Sequence, residues 1–299
     1  MALVDTDLTR DLVQARIQGR QSDTAGAVFK GLLVACLVVV LAALVALLIS
    51  VAPAGLEVFS VRGVSDFVLR PFSVRPEKAG VFQGIVGTVT CALLVAVVAF
   101  PMGVAAAVYL EEYAHDNWFT RIVNLVTRNL AGVPAIASAL LGFALFVDGP
   151  FTGFTGGTTL LSTGLTLSIL VLPIVVITSA EAIRAVPSAL REGGYGVGAT
   201  RWEVTRTLVL PNAMGGMLTG TILGLARALG EAAPLFFMGA KTSIFSGGEW
   251  GDLRGDFTAL PMIISDWATR PATKWNGNSQ AAILVTLVLV LGINTVGIV

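Results

Sequence analysis

Six long stretches of the chain contain no charged side chain, and they constrain the fold more than any other feature. They cover residues 31–56, 79–110, 129–147, 149–180, 207–226 and 275–299. A helix of about 20 apolar residues crosses the roughly 30 Å hydrocarbon core of a bilayer, and each stretch is long enough for one crossing. Backbone polar groups cannot stay unpaired in lipid, and the apolar residues are continuous rather than alternating, which favours helices over a β-barrel.

The sequence therefore predicts an all-α, polytopic membrane protein with six transmembrane helices. The fifth stretch continues past Arg227 and Glu231 into a further apolar segment, so we treat it as one span that carries two charges. The expected spans lie near residues 32–51, 84–110, 130–147, 160–180, 213–238 and 280–299. Residues 1–30 are polar and are expected to form an N-terminal tail, which leaves residues 31–299 as the membrane domain.

Composition excludes several other classes of protein. Only 13% of the residues are charged, against about 25% in soluble domains, so membrane lipid is the expected surrounding. The 19 basic residues balance 19 acidic ones, which argues against a nucleic-acid partner. Two cysteines and one histidine exclude a disulfide scaffold and a cysteine-rich metal site. No glycine-rich phosphate loop of the G-x-x-x-x-G-K-[ST] form is present, so any nucleotide must be bound by another chain.

The basic residues do not decide which way the chain crosses the membrane. With the N-terminus inside, the inner segments carry ten Lys and Arg and the outer segments carry eight. The rule that positive residues stay inside needs a larger difference, so the orientation must rest on another argument.

The loop between the fourth and fifth spans, residues 181–212, contains its own helix signals, and we call it the elbow. Pro187 suits the first turn of a new helix, and the glycines that follow are expected to break that helix within a few residues. Thr200 and Glu203 have the spacing of a capping box, which predicts a second helix from Arg201. Pro211 then marks the start of the fifth span. The elbow is either an interfacial segment on lipid headgroups or a docking site for a soluble protein.

The elbow resembles the "EAA" loop of bacterial permeases of the ATP-binding-cassette (ABC) importers. The resemblance rests on Glu192-Gly193-Gly194, Gly198 and Leu208-Val209-Leu210-Pro211; the family usually has two alanines where this chain has Gly193 and Gly194. It implies a type I ABC importer (MetI-like) permease fold, with the elbow on the cytoplasmic side in a cleft of the ATPase subunit. The N-terminal tail would then be cytoplasmic too. The residues implied to couple to the ATPase are Glu192, Gly198, Thr200, Glu203, Leu210 and Pro211.

A narrower resemblance links the chain to the permeases of phosphate-specific ABC importers. It rests on segments 100–103, 109–113, 130–134, 226–235 and 258–261, and the Glu-x-Ala-Pro-Leu-Phe-Phe ending of the fifth span is similar to the PstA type. Ala135 stands where the family usually has a serine.

The phosphate-importer resemblance implies a multi-pass protein of the cytoplasmic membrane that transports inorganic phosphate. The implied partners are a second permease (PstC-type), a dimer of ATPase subunits (PstB-type) and an external phosphate-binding protein (PstS-type). ATP and Mg²⁺ would be held by the ATPase, and this chain would bind no cofactor and catalyse no reaction.

Arg227 and Glu231 are the only charges within the six expected spans. A charge at the bilayer centre costs about 2.5–3.5 kcal/mol on insertion scales, so each needs a partner, and an i, i+4 spacing allows them to pair. Gly216, Gly220 and Gly224 fall on the same predicted helix stripe, which should face protein or an aqueous path. Two interpretations stay open. The two residues form a structural ion pair that fixes helix packing, or they line a pathway in which Arg227 contacts the anion and Glu231 holds the Arg227 guanidinium in place.

Other functions also stay open at this stage. A permease for another oxyanion, sulfate or molybdate, would share the elbow. A self-sufficient secondary transporter would more often show inverted repeats, and none is evident. An intramembrane enzyme would need a Ser/His or paired-Asp arrangement, yet the expected spans contain no His and no Asp.

Overall fold

A computed structural model describes residues 24–240, 252–271 and 273–298, and these ranges contain helices and no strand. The first helices are α1 (Thr24–Arg62), α2 (Val64–Leu69), α3 (Phe82–Val108), α4 (Trp118–Leu130), α5 (Ala135–Gly142), α6 (Thr152–Thr155) and α7 (Leu160–Arg184). They are followed by α8 (Ser188–Gly196), α9 (Arg201–Val204), α10 (Leu210–Leu229), α11 (Ala232–Phe237), α12 (Leu260–Thr269) and α13 (Thr273–Ile298). Wider π-helical turns extend α3 (Tyr109–Tyr113) and α5 (Phe143–Val147) and join α9 to α10 (Thr205–Val209).

The prediction of an all-α membrane protein is confirmed in the described part of the chain. Five helices are long and apolar enough to cross a membrane: Thr24–Arg62, Phe82–Tyr113, Leu160–Arg184, Arg201–Leu229 and Lys274–Thr295. The first begins at Thr24, so the expected tail boundary at residue 30 falls inside a helix. Residues up to Ser50 and those from Val51 onward form two compact units, and packing within the second positions the functional residues.

The third predicted span, 130–147, is wrong as a straight helix. The chain instead forms α4 and the α5 segment, which meet at a bend of 108° and together are the sixth candidate crossing. Pro134 has no N–H for the carbonyl of Leu130, its ring crowds that carbonyl, and it disfavours helical backbone at Val133. Gly132 adds low helix propensity in the same turn, so α4 ends at Leu130.

The fifth predicted span, 213–238, is also interrupted. Helix α10 ends at Leu229, and Glu231 has extended backbone (φ −83°, ψ 107°) before the short helix α11. Pro234 removes the hydrogen bond to the carbonyl of Gly230, and glycine is itself a poor helix former. The fifth span is therefore a long helix followed by a break that contains Glu231.

The core of the membrane domain is the contact of α7 with α3 and α10. Val95, Val171 and Val175 are fully buried there. Glycines permit the close approach: a Cβ on Gly220 would lie 2.2 Å from Thr178 Oγ1 of α7, and one on Gly224 would lie 3.1 Å from Val171 Cγ1. The prediction that the glycine stripe of the fifth span faces protein is thus confirmed.

An aromatic cluster ties the segment after α1 to the last two helices. Trp267 of α12 is fully buried between Phe67, Phe72 and Trp275. At the nearby surface the Lys274 ammonium donates a hydrogen bond to Glu77 Oε1 at 2.8 Å, which lowers the pKa of that carboxyl.

Close packing at Gly220 predicts that Gly220→Ala destabilises the protein. The added methyl would collide with Thr178, and overpacking of this kind costs about 1–3 kcal/mol. Gly215→Ala is the matched control, because its Cβ meets nothing within 4 Å and alanine favours a helix by about 1 kcal/mol over glycine. Thermal unfolding of the two purified variants in detergent should show a lower midpoint for Gly220→Ala only. Equal midpoints would contradict the packing described for α10.

Candidate functional site: the elbow and the break in the fifth span

The elbow folds back between the end of α7 and the start of α9. Pro187 precedes α8 as its N-cap residue, in agreement with the sequence. Helix α8 runs through Gly193 and Gly194 and ends at Gly196, which confirms that the glycines after Pro187 end it within a few residues. The turn comes at Gly198, whose φ of +85° is the left-handed conformation that glycine adopts without strain.

The predicted capping box is present at the start of α9. The Glu203 N–H donates to Thr200 Oγ1 at 3.3 Å, and the Thr200 N–H donates to Glu203 Oε2 at 2.8 Å. The helix that begins here continues through the π-helical turn into α10 and is unbroken from Arg201 to Leu229. Pro211 lies in the first turn of α10, which confirms that it marks the start of the fifth span.

The two glycines that replace the family's alanines have different surroundings. A Cβ on Gly194 would lie 2.8 Å from Val204 Cγ2 and 2.9 Å from Leu208 Cδ1, whereas one on Gly193 would meet nothing within 4 Å. Gly194 thus lets α8 pack closely against the helix that follows it. The sequence alone does not distinguish the two positions.

The outer surface of the elbow combines charged and apolar side chains. Glu192, Gly198, Thr200, Glu203 and Pro211 are all exposed. Three apolar residues that the sequence reasoning missed accompany them: Val197 is 85% exposed, Trp202 56% and Tyr195 45%. Their position within the elbow, beside Glu192 and Gly198, could have indicated a contact surface for a protein.

Leu210, the remaining predicted coupling residue, is half-buried behind the elbow surface. It lines a cavity of about 450 Å³ together with Pro101, Tyr113 and Trp202. Leu210 also packs against the buried apolar cluster formed by residues of α3, α7 and α10.

Two ion pairs join the elbow to the end of α3, and the sequence did not reveal them. Arg184 Nε donates to Glu111 Oε2 at 2.7 Å. Arg191 of α8 donates to Glu112 Oε1 from Nε at 3.1 Å and from Nη2 at 2.8 Å. Glu112 is only 5% exposed. The one sequence signal for these ion pairs is the presence of two adjacent carboxylates, Glu111 and Glu112, directly after the charge-free stretch 79–110.

Arg227 and Glu231 lie at the break in the fifth span. Arg227 Nε is 3.6 Å from Glu231 Oε1, and the two side chains are 49% and 25% exposed. The glycine stripe packs on α7, whereas the Arg227 side chain is half-exposed and Glu231 lies beyond the end of α10, so the predicted continuous stripe is interrupted. A half-exposed guanidinium keeps N–H donors free for an anion.

Metal chemistry has no evident site in the described ranges. No group of three or more His, Cys, Asp or Glu side chains there could hold a metal ion.

Comparisons of the sequence with family models and with known proteins indicate the same family. Residues 99–299 match the family described as binding-protein-dependent transport system inner membrane component. The phosphate transport system permease protein PstA of Mycobacterium leprae is 35% identical over 227 residues, which cover 75% of this chain and 72% of the relative. The probable ABC transporter permease protein YqgH of Bacillus subtilis is 34% identical over 74% of this chain and 72% of its own.

Solved structures support the fold at lower identity. A bacterial alginate ABC transporter in complex with an alginate pentasaccharide-bound periplasmic protein contains a chain that is 17% identical, with a TM-score of 0.62 over 90% of this chain and 93% of that one. An inward-facing MetNI methionine ABC transporter contains one that is 18% identical, with a TM-score of 0.54 over 73% of this chain and 91% of that one.

The turn at Gly198 predicts that Gly198→Ala destabilises the elbow. Left-handed backbone costs a residue with a Cβ roughly 1–2 kcal/mol. Gly196→Ala is the control, since its Cβ also meets open space but its backbone is helical. Limited proteolysis at the basic residues of the elbow should be faster in Gly198→Ala and unchanged or slower in Gly196→Ala. If both variants were cut at the wild-type rate, Gly198 would not be what holds the turn.

Proposed function

The chain belongs to the inner membrane components of binding-protein-dependent transport systems, and from this membership we propose that it is a permease subunit of an ATP-driven importer of inorganic phosphate. The observation that carries the substrate is the set of relatives named PstA phosphate transport permeases, which are 32–35% identical over about three quarters of the chain. Other oxyanion permeases share an elbow, but the relatives favour phosphate.

We propose that Arg227 contacts the anion on its way through the membrane. Its guanidinium is half-exposed although it lies in a membrane span, and a charge so placed needs polar surroundings on its exposed side as well. An aqueous path beside a second permease would supply one. The separation of 3.6 Å to Glu231 is longer than a charge-assisted hydrogen bond, which supports the pathway over a purely structural pair.

Glu231 has two tasks in this proposal. Its carboxylate lowers the net charge around Arg227, so that the anion is not held too tightly to leave. It also accepts a hydrogen bond from a protonated phosphate oxygen, which sulfate lacks near neutral pH. The extended backbone at Glu231 frees its side chain from the helix register.

The elbow, in this proposal, is the docking site for the ATPase on the cytoplasmic side, and the N-terminus is cytoplasmic as well. Its exposed surface contains Glu192, the turn at Gly198 and the capping box of Thr200 and Glu203. Pro211 lies in the helix that leads from this surface into the span. The full transporter adds a PstC-type permease, a PstB-type ATPase dimer that binds ATP and Mg²⁺, and an external PstS-type phosphate-binding protein. Closure of the ATPase dimer moves the elbow, and the continuous helix Arg201–Leu229 carries that movement into the membrane.

Reconstitution of the complete complex in vesicles tests the substrate. Wild-type complex should accumulate phosphate in an ATP-dependent way and should not accumulate sulfate or molybdate. Uptake of sulfate in preference to phosphate would contradict the proposed substrate, and uptake by this chain alone would contradict the importer.

Glu231→Gln tests the proposed selectivity in the same vesicles. The variant should lower phosphate uptake at least several-fold or admit sulfate, because the amide no longer offsets the charge of Arg227. Asp116→Asn is the control, since Asp116 is an exposed loop carboxylate paired with Arg121. Unchanged uptake of both anions by Glu231→Gln would remove Glu231 from the pathway.

Glu192→Lys tests the docking role of the elbow. Reversing an exposed charge at the contact surface should weaken co-purification of the ATPase, and phosphate taken up per ATP hydrolysed should fall by about tenfold or more. Asp116→Lys reverses a charge outside the elbow and should leave both quantities as in the wild type. Full assembly and full coupling in Glu192→Lys would contradict the docking site.

A further inference from the structure

The elbow is covalently continuous with α7 and α10 but reaches α3 through side chains, namely an apolar cluster that includes Ala107 and Val204 and the two ion pairs. We propose that the Glu112–Arg191 ion pair is the link that makes α3 move with the elbow, so that three membrane helices rather than two respond to the ATPase. Arg191 and Glu112 are positioning residues in this role. The inference rests on the proposed coupling function and adds the residues that distribute the movement.

A single guanidinium connects three elements. Besides its two hydrogen bonds to Glu112 Oε1 of the α3 extension, Arg191 donates from Nη1 to the Val186 carbonyl at 2.7 Å and from Nη2 to the Ile183 carbonyl at 2.9 Å. These carbonyls belong to the last turn of α7 and the segment that leads to α8. Arg191 itself lies on α8, so α3, α7 and α8 share this one group.

Burial makes this connection hard to open during a transport cycle. The side chains of Arg191 and Glu112 are 21% and 6% exposed. Separating the pair would leave a carboxylate in a site shielded from water, which is strongly unfavourable. In the neighbouring Glu111–Arg184 pair the arginine side chain is 49% exposed, and water and salt weaken such a pair. The buried pair is therefore the stronger of the two ion pairs between α3 and the elbow.

The π-helical turn at the end of α3 explains how two adjacent carboxylates reach different partners. Tyr109–Tyr113 forms a wide turn, a departure from α-helix that is frequent at functional sites. Glu111 meets Arg184 at the end of α7, whereas Glu112 turns inward to Arg191 on α8. Tyr113 adds a third contact, because the Arg201 guanidinium carbon lies 5.1 Å from the centre of its ring.

Coupling measurements on the complete reconstituted complex test the inference. Arg191→Lys keeps the charge but loses the planar fork that binds Glu112 and two carbonyls; Glu112→Gln keeps the shape but loses the charge. In both, we expect phosphate taken up per ATP hydrolysed to fall at least fivefold. The exposed pair Asp116–Arg121, whose side chains are 78% and 72% exposed, supplies the matched controls Asp116→Asn and Arg121→Lys, which should couple as the wild type does.

A distance measurement separates transmission of movement from simple stabilisation. Spin labels at the exposed positions Met102 of α3 and Leu218 of α10, with Cys36 and Cys91 replaced by alanine, report the separation of the two helices. In the otherwise wild-type complex the distance should be the same without nucleotide and with ATP bound. In Arg191→Lys the two states should differ, because α10 moves and α3 stays behind.

The outcomes decide between the inference and its premise. Wild-type coupling together with an unchanged distance in Arg191→Lys and Glu112→Gln would overturn the role of the pair. Loss of assembly in both variants would also overturn it, because the pair would then be needed for folding rather than for transmission. If the wild-type complex showed no phosphate-dependent ATP hydrolysis, the proposed function itself would fail.

Discussion

Close contact between α7 and α10 is the constraint on which the functional geometry depends. Side chains at Gly220 and Gly224 would occupy space that belongs to Thr178 and Val171, so glycine lets the two backbones approach. In a membrane this packing replaces much of the hydrophobic driving force that holds helices together in water. Because the elbow connects these two helices, their separation fixes the width of the elbow. The elbow in turn places Arg191 within reach of Glu112.

Some local signals in the sequence are sufficient for a correct prediction, whereas contacts between distant residues leave no signal in it. The capping box of Thr200 and Glu203 was predicted because both partners lie within one helical turn. Apolar character alone does not predict the breaks at 131–134 and 230–231. They depend on the low helix propensity of glycine and on the missing N–H of proline. In both, a proline follows a glycine within four residues, whereas Pro101 and Pro173 lack such a glycine and lie inside continuous helices.

The Arg191–Glu112 and Arg227–Glu231 pairs show why burial has to be known before a role is assigned. Both are simple combinations of one guanidinium and one carboxylate. Arg191 is satisfied by Glu112 and two carbonyls and is largely shielded from water, so it suits a fixed connection. Arg227 is half-exposed and 3.6 Å from its partner, so it suits transient contact with a mobile ion. Residues 79 positions apart in the chain form the first pair, and no periodicity in the sequence indicates it.

Gly194 has a consequence for how chains of this type can vary. Its missing methyl group is matched by the bulk of Val204 and Leu208, which fill that space from the next helix. An alanine at position 194 would need smaller side chains at positions 204 and 208, because its methyl group would occupy the same space. Substitutions at positions 194, 204 and 208 should therefore be correlated among homologous chains, with larger residues at the first accompanied by smaller ones at the other two. Variation at position 193, which faces open space, should be independent of positions 204 and 208.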